Sequence, residues 1–252
     1  MRIWIAAGGT GGHIYPALAV AEALQDVEPD LEVIWVGTPE GMEARLIPSR
    51  GFAFLPVEAG GVYGLGPREA LRGLWRIARG IRQAWQAMAR QRPQVLFTTG
   101  GFAAVPAALA AARAGVPILV YLPDLEPGMA VRWLARLAAH VAVTAPEAQP
   151  FFRGRPVTVT GYPVRRCLMA AARDQEAARR RGRARWGFTE DLPVVLVFGG
   201  SRGARRLNRA VDRHLEALVT EAQVLHLTGP ADLERMQARR AALPSEVRAR
   251  YQ

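Results

Sequence analysis

Not one lysine occurs among the 252 residues; all 33 basic side chains are arginine. That excludes a Schiff-base lysine and a phosphate loop of the Gly-Lys-Ser/Thr kind. A single cysteine, Cys167, excludes a disulfide framework and a cysteine-rich metal site. The four histidines, His13, His140, His214 and His226, are too dispersed for metal-ligand spacing. No charged-then-apolar leader precedes the first strand, so no signal peptide is read. The most apolar stretch, 102–123, is broken by Pro106, Arg113, Gly115 and Pro117. It reads as a buried helix followed by a buried strand, not as a membrane span. A cytoplasmic protein is expected.

Half the residues are hydrophobic and 22% are charged, the balance of a globular chain with a sizeable core. The net charge of +11 calls for an anionic partner: a phosphorylated substrate, an acidic membrane surface or nucleic acid. Aromatics do not interleave with the basic clusters as in a nucleic-acid motif, so nucleic acid is not an expected partner. The run Arg179-Arg180-Arg181 with Arg183 and Arg185 reads as a solvated helix face.

The chain is organised around residues 2–21, where a β-rich run enters Gly8-Gly9-Thr10-Gly11-Gly12-His13 and continues with helical spacing. A glycine loop at a helix N-terminus is an anion-binding device. First-turn amides have no carbonyl partner, and the helix dipole adds partial positive charge. Thr10 adds a hydroxyl donor, and His13 falls in the first turn. The frame Gly9, Gly11, Ile14 misses the third glycine of the dinucleotide fingerprint. The second strand ends in Gly37 where that fingerprint requires an acid.

Strands over 3–7, 31–36, 53–57, 94–98, 117–121 and 140–144 alternate with helices over 15–27, 41–49, 67–91, 103–114 and 129–138. The pattern predicts an α/β fold with a parallel, doubly wound sheet, Rossmann-like, whose ligands sit beyond the C-terminal strand ends. Gly8–His13, Gly100-Gly101-Phe102 and 123–128 share that rim. After a hinge at Gly161-Tyr162-Pro163-Val164-Arg165 the theme returns: a strand over 193–198, then Gly199-Gly200-Ser201-Arg202-Gly203, then a helix. The expected division is 1–164 and 165–252. Two strands do not complete a second doubly wound domain, so the chain reads as truncated.

Between Arg68 and Arg92, Leu71, Leu74, Trp75, Ile77, Ala78, Ile81, Trp85 and Met88 recur at helical steps, interleaved with arginines. Two outcomes stay open: the apolar face packs on the sheet, or it lies on an anionic membrane through Leu74, Trp75, Ile81 and Trp85.

The ordered set Gly8-Gly-Thr-Gly-Gly-His13 with Pro16-Ala-Leu-Ala, Gly100-Gly-Phe102, Pro163-Val-Arg165 and Gly199-Gly-Ser-Arg-Gly-Ala204 with Asn208 resembles the MurG family of bacterial N-acetylglucosaminyltransferases. The resemblance covers essentially the whole chain and implies a glycosyltransferase-B fold. It also implies inverting transfer of N-acetylglucosamine from UDP-N-acetylglucosamine to lipid I, undecaprenyl-diphospho-muramoylpentapeptide, giving lipid II. No metal or other cofactor is implied, and the setting is peripheral, on the cytoplasmic face of the plasma membrane. The first unit would hold the acceptor diphosphate through Thr10, Gly11 and Gly12, joined by Gly101 and Phe102 of the neighbouring loop. The second would hold the donor UDP through Ser201, Arg202, Gly203 and Asn208, with Arg165 of the hinge. A donor-recognition segment is expected beyond Gln252, and residues 1–252 alone are expected to turn over little.

Two departures stand out. Where the family has His-Glu-Gln-Asn, this chain has Tyr121-Leu-Pro-Asp124, and where it has tyrosine, this chain has Phe102. His13 is one candidate base for the attacking hydroxyl and Asp124 the rival, with Glu126 weaker. Asp124 has an alternative as the cap of the helix that follows.

Overall fold

The computed structural model describes residues 1–60, 66–200 and 203–252. They form two compact units, Met1–Leu168 and Met169–Gln252. The first is built on strands β1 (Arg2–Ala7), β2 (Glu32–Gly37), β3 (Ala53–Pro56), β4 (Val95–Gly100), β5 (Ile118–Leu122), β6 (His140–Val143) and β7 (Val157–Val159). Their order is β3-β2-β1-β4-β5-β6-β7, and every pairing is parallel. This is the doubly wound sheet expected from the alternating pattern. Its central strands read as continuous apolar runs because both faces are covered. In β1, Trp4 and Ala6 enter one core and Ile3, Ile5 and Ala7 the other.

Helices α1 (Gly11–Val27) and α2 (Met42–Leu46) cover one face. Helices α3 (Pro67–Gln91), α4 (Ala104–Ala114) and α5 (Met129–Ala135), with a 3₁₀ segment at Pro146–Phe152, cover the other. Helix α1 starts at Gly11, four residues before the expected start, so the glycines open the helix and do not merely precede it. Helix α2 stops at Leu46 because Pro48 begins a separate 3₁₀ turn.

Helix α3 buries one side and exposes the other. Its inner side is Gly73, Gly80, Ala84 and Met88. A Cβ on Gly80 would stand 1.8 Å from the Glu58 carbonyl oxygen and 3.1 Å from Pro106 Cβ, so the helix sits almost backbone to floor. Leu71, Leu74, Trp75 and Trp85 consequently face water, and Ile81 is half-buried. Of the apolar stripe, Met88 is buried in the core and Ile77 is half-buried, while the leucines and tryptophans stay outside. Among the described residues no helix is long and apolar enough to cross a membrane.

The hinge adds a helix not foreseen, α6 (Arg166–Arg173). In the second unit α7 (Gln175–Trp186) is capped by Asp174, whose carboxylate accepts the Ala177 N–H at 2.9 Å. Strands β8 (Val194–Phe198) and β9 (Gln223–Leu227) pair in parallel, followed by α8 (Arg205–Glu221), α9 (Leu233–Ala241) and α10 (Ser245–Arg248) in their places along the chain. Val211, Leu215, Val219, Val224, Met236, Leu243 and Tyr251 make the core. One arginine departs from the expected solvated face. Arg183 is buried, donates to the Leu192 carbonyl at 3.0 Å and to that of Thr189, and meets Glu190 at 3.5 Å. It ties α7 to the approach of β8, where an exposed face would have left it in water.

Candidate functional site

The winding of the sheet reverses between β1 and β4, and the crevice beyond their C-terminal ends is where such sheets bind ligands. Both strands end in glycines there. Beyond Ala6 the register of β1 against β4 shifts, so that Ala7 pairs with Gly100. The buried Thr98 hydroxyl donates to the Ala6 carbonyl at 2.6 Å and accepts the Gly100 N–H at 3.0 Å. Gly101 has φ +87°, and a Cβ on it would lie 2.4 Å from the Gly8 carbonyl oxygen. Only glycine lets the two loops meet so closely.

At the head of α1 the Thr10 carbonyl accepts both the His13 and Ile14 amides, each at 3.1 Å. The Thr10 hydroxyl makes no capping bond. The amides of Gly11 and Gly12 have no acceptor among the described residues. Thus the donors assigned to an anion remain available. Thr99 fixes the first turn by donating its hydroxyl to the His13 carbonyl at 2.8 Å. The His13 side chain is half-buried beside Gly100, and its Nδ1 is enclosed with no hydrogen-bond partner among the described residues. A buried polar atom without a partner carries a free-energy cost that a ligand can remove. Phe102 stands exposed on the same rim.

Asp124 is exposed beyond β5. It does not cap α5, whose N-cap is Gly128 with no side-chain bond. It faces two tyrosines. Tyr121 donates or shares a hydrogen bond with Thr144 at 2.7 Å and reaches the Gly161 carbonyl at 3.1 Å. Burial first, with the Asp124 charge among the smaller causes, pushes the Tyr121 phenol up. Burial and then Asp124 do the same to Tyr162. Arg165 is half-buried, its guanidinium 4.7 Å from the centre of the Tyr15 ring. The same ring touches Gly11, so within the first unit Arg165 belongs to the surroundings of the first glycine loop. The neighbouring Arg166 pairs with Asp26 at 2.5 Å.

In the second loop Ser201 and Arg202 lie outside the described residues. Gly203 has φ +76°, and its N–H donates to the Gly200 carbonyl at 3.1 Å, so that amide is already engaged. Asn208 is buried, and it too is engaged. Its amide nitrogen donates to the Thr228 carbonyl and to Asp232 Oδ2, both at 2.8 Å. With both donors used, its Oδ1 faces His226 Nε2 at 3.0 Å, which makes Nε2 the protonated nitrogen of that ring. His226 Nδ1 then accepts from the Tyr251 hydroxyl at 2.8 Å. The Asn208 side chain and the Gly203 amide, both expected to contact the donor, thus carry internal hydrogen bonds. The side chain of an asparagine in the first turn of α8 finds partners 18 to 24 residues away.

One residue escaped sequence reasoning. Glu43, in a helix that reads as polar, is fully buried beneath the first loop. Among the described residues no group of three or more His, Cys, Asp or Glu is arranged to hold a metal.

Residues 3–143 match the glycosyltransferase family 28 N-terminal domain, and residues 194–249 match the family's C-terminal domain. A relative from Roseiflexus is 38% identical over the whole chain, which spans 65% of that relative. One from Desulforudis audaxviator is 40% identical over 92% of the chain and 61% of its own length. Both are named as UDP-N-acetylglucosamine–N-acetylmuramyl-(pentapeptide) pyrophosphoryl-undecaprenol N-acetylglucosamine transferases. The chain thus spans under two thirds of the length of these curated relatives. Among solved structures, Acinetobacter baumannii MurG superposes with a TM-score of 0.62 at 26% identity, over 97% of this chain and 63% of that one. A Neisseria meningitidis UDP-GlcNAc 2-epimerase reaches 0.63 at only 13% identity, over 97% and 71%, a likeness of fold alone. With its N-terminal model matched across more than half of its residues, the chain belongs to glycosyltransferase family 28.

Proposed function

We propose that this chain works in the transfer of N-acetylglucosamine from UDP-N-acetylglucosamine to the muramyl 4-hydroxyl of lipid I, forming lipid II for peptidoglycan. The observation that carries the reading is the crevice at the sheet's switch point. There the Gly11 and Gly12 amides, without an acceptor among the described residues, and the uncapped Thr10 hydroxyl sit at the head of α1, with His13 in its first turn. Amides of this kind grip a diphosphate without a metal. The names of the relatives supply the acceptor and the donor.

In this reading the diphosphate of lipid I sits on the first loop, with Phe102 and Gly101 closing its side. Arg165, stacked on Tyr15, adds charge there. His13 removes the proton of the 4-hydroxyl, and the oxygen attacks the sugar carbon from the face opposite UDP. The bond from that carbon to the diphosphate oxygen breaks, and UDP leaves with the electron pair. Charge on the departing diphosphate is met by the second loop, through Ser201 and Arg202. Asn208 acts indirectly, by holding the Thr228–Asp232 segment.

An anionic membrane surface on the cytoplasmic side is the proposed setting. Leu74, Trp75 and Trp85 face outward, and Ile81 lines a cavity of about 470 Å³ with Trp85 and Arg113. The same side of the sheet carries a second cavity, of about 420 Å³, lined by Arg132, Arg136, Arg153 and Arg155. Apolar residues ringed by arginine suit an interface with acidic lipid.

The test is transfer of label from UDP-N-acetylglucosamine into lipid I, with the chain alone and joined to the C-terminal unit of the Roseiflexus relative. Labelled lipid II from the joined form is expected. Its absence from both, with both folded, removes the reading.

A further inference from the structure

Glu43 is a fully buried carboxylate with, among the described residues, no arginine within ion-pair distance. Its three hydrogen bonds are all donated to it. Its Oε1 accepts the Thr38 N–H at 3.0 Å and the Thr38 hydroxyl at 2.9 Å. Its Oε2 accepts the Gly9 N–H at 3.3 Å. The space it occupies has been cleared by glycine on two different loops. A Cβ on Gly8 would stand 2.4 Å from Oε1, one on Gly41 2.3 Å from Cδ, and one on Gly37 2.5 Å from Cγ. One glycine of the first loop, Gly8, and two at and beyond the end of β2, Gly37 and Gly41, therefore leave room for a buried acid.

Burying a carboxylate is costly unless its hydrogen bonds are made, and an apolar side chain would fill the volume at lower cost. What the acid supplies is a bond that no apolar residue can make: it turns the Gly9 N–H inward, away from the crevice. The chain then leaves Gly9 in a fixed direction, with Thr10, Gly11 and Gly12 facing the opening. We propose that Glu43 is a positioning residue for the anion cup, setting the direction of the Gly8–Gly9 segment so that the next three residues grip the diphosphate. This rests on the reading of the first loop as the diphosphate site.

Glu43→Gln separates positioning from packing. The amide has the same shape, and its oxygen keeps both Thr38 bonds. Its NH₂ then meets the Gly9 N–H, donor against donor. Inorganic pyrophosphate is the probe, titrated calorimetrically into residues 1–252, with thermal unfolding recorded alongside. Wild type is expected to bind. Glu43→Gln is expected to weaken binding by about tenfold or more, the scale of misplacing hydrogen bonds to an anion. Amide exchange at Gly9 is expected to quicken while exchange in β1 and β2 stays unchanged. Thr38→Val removes one Thr38 bond without touching the loop and is expected to cost less affinity than Glu43→Gln. Unchanged pyrophosphate affinity in a folded Glu43→Gln overturns the proposal, as does a Thr38→Val loss equal to it. Failure of wild type to bind pyrophosphate overturns instead the diphosphate reading on which it stands. Should Glu43→Gln not fold, the test passes to Glu43→Asp, whose shorter side chain draws the carboxylate back from the Gly9 N–H; unchanged pyrophosphate affinity and unchanged Gly9 exchange in a folded Glu43→Asp overturn the proposal.

Discussion

Replacing Trp75 and Trp85 together by alanine separates a membrane-facing stripe from a packing face, because the two roles move different observables. The two residues are 59% and 48% exposed. A tryptophan carries roughly 200 Å² of surface, so inserting both would take on the order of 200 Å² out of water. At about 25 cal/mol per Å² that is about 5 kcal/mol, of which alanine retains roughly a third. The remaining ~3 kcal/mol corresponds to about a hundredfold loss of partitioning. Stability has little to lose. The rings touch Arg79 and Arg113, at 4.7 and 5.9 Å from the ring centres, contacts worth about 0.5–1 kcal/mol each at exposed sites. Co-sedimentation with vesicles containing acidic phospholipid should therefore fall by about two orders of magnitude, while the melting temperature moves by only a few degrees. Binding should also weaken with salt, since the flanking arginines act through screened charge. Unchanged sedimentation, or a collapse of stability in its place, would refute the reasoning.

In the form joined to a relative's C-terminal unit, His13→Ala should lower turnover by about 10²–10⁴-fold, the range for losing a general base. A rise in acceptor KM alone would reassign His13 to binding. Asp124→Asn should cost less than about tenfold in the same assay, and a loss comparable to that of His13→Ala would make Asp124 the base. Gly101→Ala should destabilise the first unit by about 2–4 kcal/mol, combining an unfavourable positive φ with a backbone overlap, and calorimetry reads that directly. Burial, and secondarily Arg235, lowers the His226 pKa below its usual 6.5. The neutral ring is favoured in the folded state, so its stabilisation is complete above about pH 6.5 and is lost as pH falls toward the folded value. Unfolding midpoints of residues 1–252 should drop between pH 7.5 and 5.5, and His226→Gln should flatten that slope.

The sheet was legible because buried parallel strands write themselves as apolar runs, as in Ile3 to Ala7. Glycines at strand ends marked where the chain must turn and come close. What escaped depended on the third dimension. Glu43 looks like any acid on a short polar helix, and its burial follows from Gly8 on another loop. The orientation of α3 was illegible for the opposite reason. Periodicity draws the eye to tryptophan and leucine, yet the packed side is the one made of glycine and alanine. Arg183 was hidden in a run of exposed arginines, since only the return of Thr189 and Leu192 toward α7 covers it.

The glycine floor under α3 also limits how that helix can move. With Gly80 against the Glu58 carbonyl the helix has no room to roll at that turn. Trp75 and Trp85, ten residues and so about 15 Å apart along the axis, point on fixed bearings like two pegs on a rigid bar. In the proposed membrane setting a lipid surface would meet both rings at one angle of approach.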